Sequence, residues 1–162
     1  MIKNKSFFMS MKKVPTATAQ EKQYSAKFKT LADGTRKAVT QVYLAEGARN
    51  ARYELNTALW RVIDAKGWNN THALQKNVPV CLKTSWCFGI ESQADGKPNH
   101  TEGEWHTRKP DTDNLIKGLK DLMTDAGCFW EDDAQVCMEQ TMKYWSNTPG
   151  IFVEVFEMSS ED

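Results

Sequence analysis

One stretch constrains this chain more than any other: a helix-spaced apolar stripe fenced at both ends. In "PDTDNLIKGLKDLMTDAG", residues 110–127, Leu115, Ile116, Leu119, Leu122 and Met123 recur at steps of three and four. That spacing lines one face of an amphipathic helix over 112–125. Pro110 stands just ahead of it, and Gly127 supplies the residue best suited to a left-handed helix end. On both sides the period falls to two. "VPVCLKTSWCFGI" at 78–90 alternates as a strand does, and "AQVCMEQTMKYW" and "GIFVEVFEM" read as two strands joined by a turn at "SNTPG". A helix caught between strands must bury its stripe on a sheet.

The rest of the chain extends this pattern. "SFFMSMKKV" at 6–14 reads as a strand running into a loop at Pro15. Over 45–66, Ala51, Leu55, Leu59 and Val62/Ile63 keep helical spacing, with Arg49, Arg52 and Arg61 off that face and Gly67 placed for a cap. Residues 15–40 are polar, with "ADGT" as a turn signal, and 91–107 form a second polar stretch without a core pattern. Both are expected to be flexible loops. The resulting order is β-α-β-α-β-β, an α+β (mixed α/β) fold with two main helices on a small mixed sheet. At 162 residues, 1–162 is expected to be a single domain with a core of its own.

Composition narrows the setting. No apolar run approaches the roughly 18–20 residues of a membrane span, and the short apolar stretch in "MIKNKSFFMSMKK" lacks the form of a signal peptide. The cytoplasm is the expected location. Cys81, Cys87, Cys128 and Cys137 show no CxxC pair and no zinc-like spacing to His72, His100 or His106. They read as small core residues, with zinc the alternative. The "NNT" at 69–71 and "NHT" at 99–101 match the glycosylation sequon by chance in such a setting. A formal net charge of zero hides an asymmetry: 13 Lys/Arg against 5 Asp/Glu in 1–66, 3 against 4 in 67–107, and 5 against 12 in 108–162. A basic front with an acidic back fits a protein that binds a polyanion with one part and cations with another. It fits equally two halves that attract each other.

The acids are placed unevenly. Asp111 and Asp113 stand in or just before the first turn of the 112–125 helix, and Asp132 and Asp133 open the strand that follows it. Carboxylates at a helix start gain about 0.3–1 kcal/mol from the dipole, so an N-cap alone would explain the first pair. The second pair reaches the first only if the sheet register brings the start of the next strand beside 108–111. Carboxylates about 4 Å apart repel by roughly 4 kcal/mol at an effective dielectric of 20, so a cation would have to fill the gap. Lys117, one turn after Asp113, is one candidate. A divalent cation is the other, and an all-oxygen set suits Mg²⁺ or Mn²⁺. "DTDNLIKGLKDL" is no calcium loop: Ile116 stands where an EF-hand needs Gly, and Leu122 where it needs Glu.

The run "KPDTDNLIKGLKDLMTDAGCFWEDDAQV", with Lys143 in "TMKYW" and a closing apolar strand, resembles the RusA family of Holliday-junction resolvases. The resemblance covers about 109–157 in its specific part, with a weaker similarity in "MSMKKVPTATAQEK". It implies a homodimeric endodeoxyribonuclease that nicks four-way DNA junctions symmetrically with Mg²⁺, Mn²⁺ being a possible substitute. Carried onto this chain, it implies Asp111, Asp113 and Asp133 as catalytic, metal-binding carboxylates. Asp132 joins them at the metal, and Lys117 is the catalytic lysine. Asn114 and Gln135 match as structural hydrogen-bonders. The partners implied are branched DNA and a second copy, with no membrane and no small-molecule cofactor beyond the metal. Lys12, Lys13, Arg108, Lys109 and Lys143 are the expected DNA contacts. Most of the six tryptophans are expected to be core or interface anchors, while Trp105 and His106 are placed to stack on or touch DNA. Two other readings stand beside it: a junction-binding protein with little or no cleavage, and an interaction domain whose acids are caps and surface charges.

Overall fold

The computed structural model describes residues 4–18 and 22–159. Residues 19–21 of the expected 15–40 loop, and both chain ends, lie outside the described residues. Its main sheet has four strands: β1 (Lys5–Ser10), β4 (Val80–Gly89), β5 (Val136–Ser146) and β6 (Gly150–Glu157), in the order β1-β6-β4-β5. β6 runs antiparallel to both β1 and β4, whereas β4 and β5 are parallel. A parallel pair needs a crossover connection, and the fenced helix provides it. α1 spans Glu46–Ala65 and α2 spans Thr112–Ala126. The fold is α+β, as the residue pattern predicts.

Periodicity explains which face each element buries. In β4, Leu82, Thr84, Trp86 and Phe88 are buried, while Lys83, Ser85 and Cys87 on the other face are only partly covered. Ile151, Val153 and Val155 of β6 continue the buried face, which packs on Leu55, Leu59 and Ile63 of α1 and on Leu115, Leu119, Leu122 and Met123 of α2. Arg52 of α1 ties to Asp125 of α2 at 3.0 Å. Gly127 ends α2 with φ 69°, the left-handed geometry expected of it.

The segment read as a polar loop between β1 and α1 is the main correction. β2 (Lys22–Thr30) and β3 (Arg36–Leu44) form an antiparallel hairpin that makes a separate two-stranded sheet. The order is therefore β-β-β-α-β-α-β-β. "KQYSAKFKT" and "RKAVTQVYL" do alternate about a central "DG", a hairpin signal. The alternation is masked by polarity, because neither face of this hairpin meets the core: from Ala26 to Tyr43 every residue is exposed. At the turn Gly34 has φ 82°, and the Asp33 carboxylate accepts from the amide and hydroxyl of Thr35 at 2.9 and 2.6 Å.

Two smaller readings change as well. Asp133–Gln135 form a short 3-10 turn, so the strand opens at Val136 rather than at the acids. Cys81 and Cys128 are buried and Cys87 is half-buried, but Cys137 is exposed on β5 and is no core residue. Burial raises the thiol pKa of both Cys87 and Cys128. Among the described residues no helix is long and apolar enough to cross a membrane.

Candidate active site

The two ends of α2 carry the two acidic pairs. At its start Asp111 occupies the N-cap position, its carbonyl accepting from the Leu115 amide at 3.2 Å, yet its carboxylate caps nothing. Both carboxylate oxygens instead accept from Lys109 Nζ at 2.9 Å. The N-cap explanation of this acid is therefore not realised. Asp113, exposed in the first turn, makes no hydrogen bond or ion pair among the described residues, and neither does exposed Lys117 one turn on. The helix dipole favours negative charge at this end.

A set of contacts fixes the approach to Asp111. Lys143, near the end of β5, donates from Nζ to the carbonyls of Arg108 (2.6 Å) and Pro110 (2.8 Å). Burial lowers the Lys143 pKa, with Asp111 acting against that shift. Residues 103–106 lie along β5, with Gly103 N–H donating to Trp145 O, His106 N–H to Lys143 O and Trp145 N–H to Glu104 O. The Glu102 carboxylate accepts from Ser146 Oγ at 2.8 Å and from the Asn147 amide. His100 stacks on Trp145 with ring centroids 3.8 Å apart, and His106 lies between Phe88 and Trp145 at 4.2 and 4.4 Å. Burial, followed by the Lys143 charge, lowers the His106 pKa. The 91–107 stretch has no helix or long strand, but its second half is thus tied to β5.

Of the expected DNA contacts, Lys12, Lys13 and Arg108 line one cleft, together with Asn99, His106 and Trp145. The Arg108 guanidinium lies 5.9 Å from the Trp145 ring centre. Lys13 reaches Glu91 at 3.8 Å, both side chains being exposed. Trp105 is 62% exposed and packs on Tyr144, so it is open to a ligand, whereas His106 is largely buried in the wall of that cleft. Trp86 and Trp130 are core residues.

At the far end of α2 the second pair is divided in the same way. Asp132 Oδ1 accepts from the Ala134 amide at 2.9 Å, and Gln135 Oε1 accepts from the amides of Glu131 and Asp132, closing a capping box. Buried Gln135 also donates from Nε2 to the carbonyls of Gln75 (2.7 Å) and Val78 (3.0 Å), a purely structural arrangement. Asp133 is exposed, and its carboxylate makes no hydrogen bond or ion pair among the described residues.

Register decides the distance between the pairs. Lys143, not the start of β5, lies beside 108–110. From Val136 to Lys143 is seven strand steps, roughly 23 Å, and the 15 residues of α2 span about the same length. One copy therefore brings Asp111, Asp113, Lys109 and Lys143 together and holds Asp132 and Asp133 about 20 Å away. Accordingly, no three His, Cys, Asp or Glu side chains among the described residues converge as metal ligands.

Comparison with known proteins bears on this geometry. The family model described as "Endodeoxyribonuclease RusA" matches residues 12–156. A protein of Lactococcus phage r1t named "Crossover junction endodeoxyribonuclease rusA" is 31% identical over 84 residues, 52% of this chain and 59% of that protein. An uncharacterised protein of Bacillus subtilis (strain 168), YqaN, is 37% identical over 54 residues, 33% of this chain and 37% of its own length. The chain thus spans little more than half of one curated relative and less than half of the other.

Proposed function

The chain belongs to the RusA endodeoxyribonuclease family, and on that premise we propose that it is a divalent-metal-dependent nuclease that resolves four-way DNA junctions by paired symmetric nicks. The observation that carries this reading is the pair of uncommitted carboxylates. Asp113 and Asp133 are exposed acids that nothing among the described residues caps or pairs, and each stands near a second carboxylate, an arrangement that suits a cation. The donor set fits Mg²⁺, with Mn²⁺ as substitute: Asp111, Asp113, Asp132 and Asp133 are all oxygen donors. When bound there, such an ion activates water and offsets charge on the phosphate under attack.

Because the two pairs stand about 20 Å apart in one copy, a shared ion needs Asp111 and Asp113 from one copy and Asp132 and Asp133 of the partner subunit. A homodimer is then a condition of the site as well as of symmetric cutting, since a twofold axis supplies two equivalent sites for two strands.

The chain's own residues divide the remaining work. Lys109 holds the Asp111 carboxylate, which would become a ligand if a cation displaced that ammonium. Lys117, on the Asp113 side of α2, is placed to hold a phosphate oxygen and stabilise charge developing on it. Lys143 sets the backbone of 108–110, and so the position of Asp111. Lys12, Lys13 and Arg108 draw the DNA backbone into their shared cleft, which makes binding steeply salt-dependent.

The test is cleavage of a labelled synthetic four-way junction beside linear duplex of the same sequence, with Mg²⁺, with Mn²⁺ and with EDTA. Paired symmetric nicks on the junction alone, lost in EDTA, are expected. Tight junction binding with no product in either metal would instead leave a binding protein.

A further inference from the structure

The β2–β3 hairpin takes no part in the core or in the site described above, yet it is built with a consistent chemistry. Residues 22–44 hold five basic side chains, Lys22, Lys27, Lys29, Arg36 and Lys37, and one acidic side chain, Asp33, for a net charge of +4. Asp33 is confined to the turn, where Thr35 holds its carboxylate. The strand register pairs Lys29 directly with Lys37, and Lys27 lies on the same face one pair further along. Like charges directly opposed across two strands destabilise the pairing, so this face gains only when an anion lies on it. The opposite face carries Tyr24, Ala26, Phe28, Ala38 and Val42. Tyr24 and Phe28 there are 69% and 70% exposed. A lone two-stranded hairpin is marginal in water, which makes an exposed aromatic face on one costly unless something covers it.

Position links the hairpin to the site. Pro15, Ala17 and Thr18, leading into it, line one cleft with Asn114 and Gly118 of α2. Asn114 adjoins Asp113. Nine-residue strands reach roughly 30 Å from that root, close to one turn of duplex.

We infer that the β2–β3 hairpin is a DNA-gripping arm. It is a two-stranded ribbon that lies along the duplex flanking the cut, with Lys27, Lys29 and Lys37 on phosphates and Tyr24 and Phe28 against sugar and base edges. The major groove admits such a ribbon. Charge argues for DNA over a second copy as the occupant. The aromatic face carries Lys22 and Arg36 at its two ends and no carboxylate, so the same face of a second copy would meet cation with cation. This inference rests on the nuclease reading for the presence of DNA, and it adds a contact surface remote from the acids.

The experiment compares the full chain with a Lys27→Ala, Lys29→Ala, Lys37→Ala variant, titrating labelled four-way junction and linear duplex across a salt series. Circular dichroism and sedimentation check fold and oligomeric state. The variant is expected to bind the junction at least tenfold more weakly at low salt. The slope of log K against log salt should become shallower by about two to three, since each lost phosphate contact removes about 0.9. A second variant, Tyr24→Ser with Phe28→Ser, is expected to weaken binding with the salt slope unchanged. Wild type that binds the junction, with the lysine variant equal to it in affinity and slope, would overturn the arm and leave the nuclease reading intact. Wild type that binds no branched DNA would overturn both. Dissociation of an oligomer by the aromatic variant, with DNA affinity per site unchanged, would assign the face to a second copy instead.

Discussion

The two ends of α2 solve the same problem in different ways. Each carries a pair of carboxylates, and in each pair one acid is committed and the other is free. At the start, Asp111 is held by the exposed Lys109, and Asp113 has no partner among the described residues. At the far end, Asp132 belongs to a capping box locked by a buried glutamine, and Asp133 is free. The first end is held by an exposed ammonium that a stronger cation can displace, while at the second the Ala134 amide fixes Asp132 through Oδ1 alone. The comparison teaches that acidity alone does not mark a functional end. What distinguishes these ends is that each sets two carboxylates side by side and leaves one of them open.

The largest effect expected is on cleavage. Asp113→Asn and Asp133→Asn, made singly, should each lower the single-turnover rate on the order of 10²–10³-fold, a loss typical of a key electrostatic group. Thermal stability should stay within about 0.5 kcal/mol of wild type, as for exposed positions without partners. Co-refolding the two variants sharpens the comparison. If each site takes Asp113 from one copy and Asp133 from the other, mixed dimers regain one working site and nick one strand of the junction. No recovery on mixing would place both acids in the same copy's site and contradict the distance set by α2.

Next in size is Gln135→Ala, which strips the partners from several backbone groups at the rigid end. A loss of about 2–3 kcal/mol is expected, read as a Tm fall of roughly 5–10 °C. An unchanged Tm would mean the second pair is held by something other than this side chain.

Lys117→Ala should slow cleavage about tenfold, near 1.4 kcal/mol in the barrier, with the fold intact. An unchanged single-turnover rate would remove its role at the phosphate.

The smallest effect concerns the loop that leads to Asp111. His106 has a folded pKa held below its ordinary 6.5, chiefly by burial. The unfolded chain therefore takes up its proton first. Stability supplied by the neutral ring is present above about pH 6.5, declines as pH falls below that value, and stops declining below the folded pKa. Urea midpoints measured from pH 7.5 to 5 should fall more steeply for wild type than for His106→Phe. Parallel curves would show that this imidazole is not a source of the pH dependence.

Legibility in the sequence followed burial. α1, α2, β1, β4 and β6 were readable because each buries one face, so its apolar residues repeat at 3.6 or 2. The β2–β3 hairpin was not, although "DG" and the alternation about it were present, because with both faces exposed the lysines break the contrast that periodicity depends on. At the site, the types of the residues were readable: paired aspartates, a lysine one turn on, and a glutamine with a structural role. Their partners were not. That Lys109 rather than the helix amides holds Asp111, or that Lys143 pins the 108–110 backbone, follows from contacts 2 and 33–35 residues apart in sequence.

Local spacing is enough to give both helices, β1, the three strands that follow α1, and the chemistry available at each end of α2. Tertiary structure alone decided that β4 and β5 run parallel with α2 crossing between them. That arrangement places the two acidic pairs at opposite ends of a helix about 22 Å long. Local pattern cannot set this distance. Strand register is fixed by which faces meet across the whole sheet, and here the meeting of Lys143 with the 108–110 carbonyls carries the site's geometry.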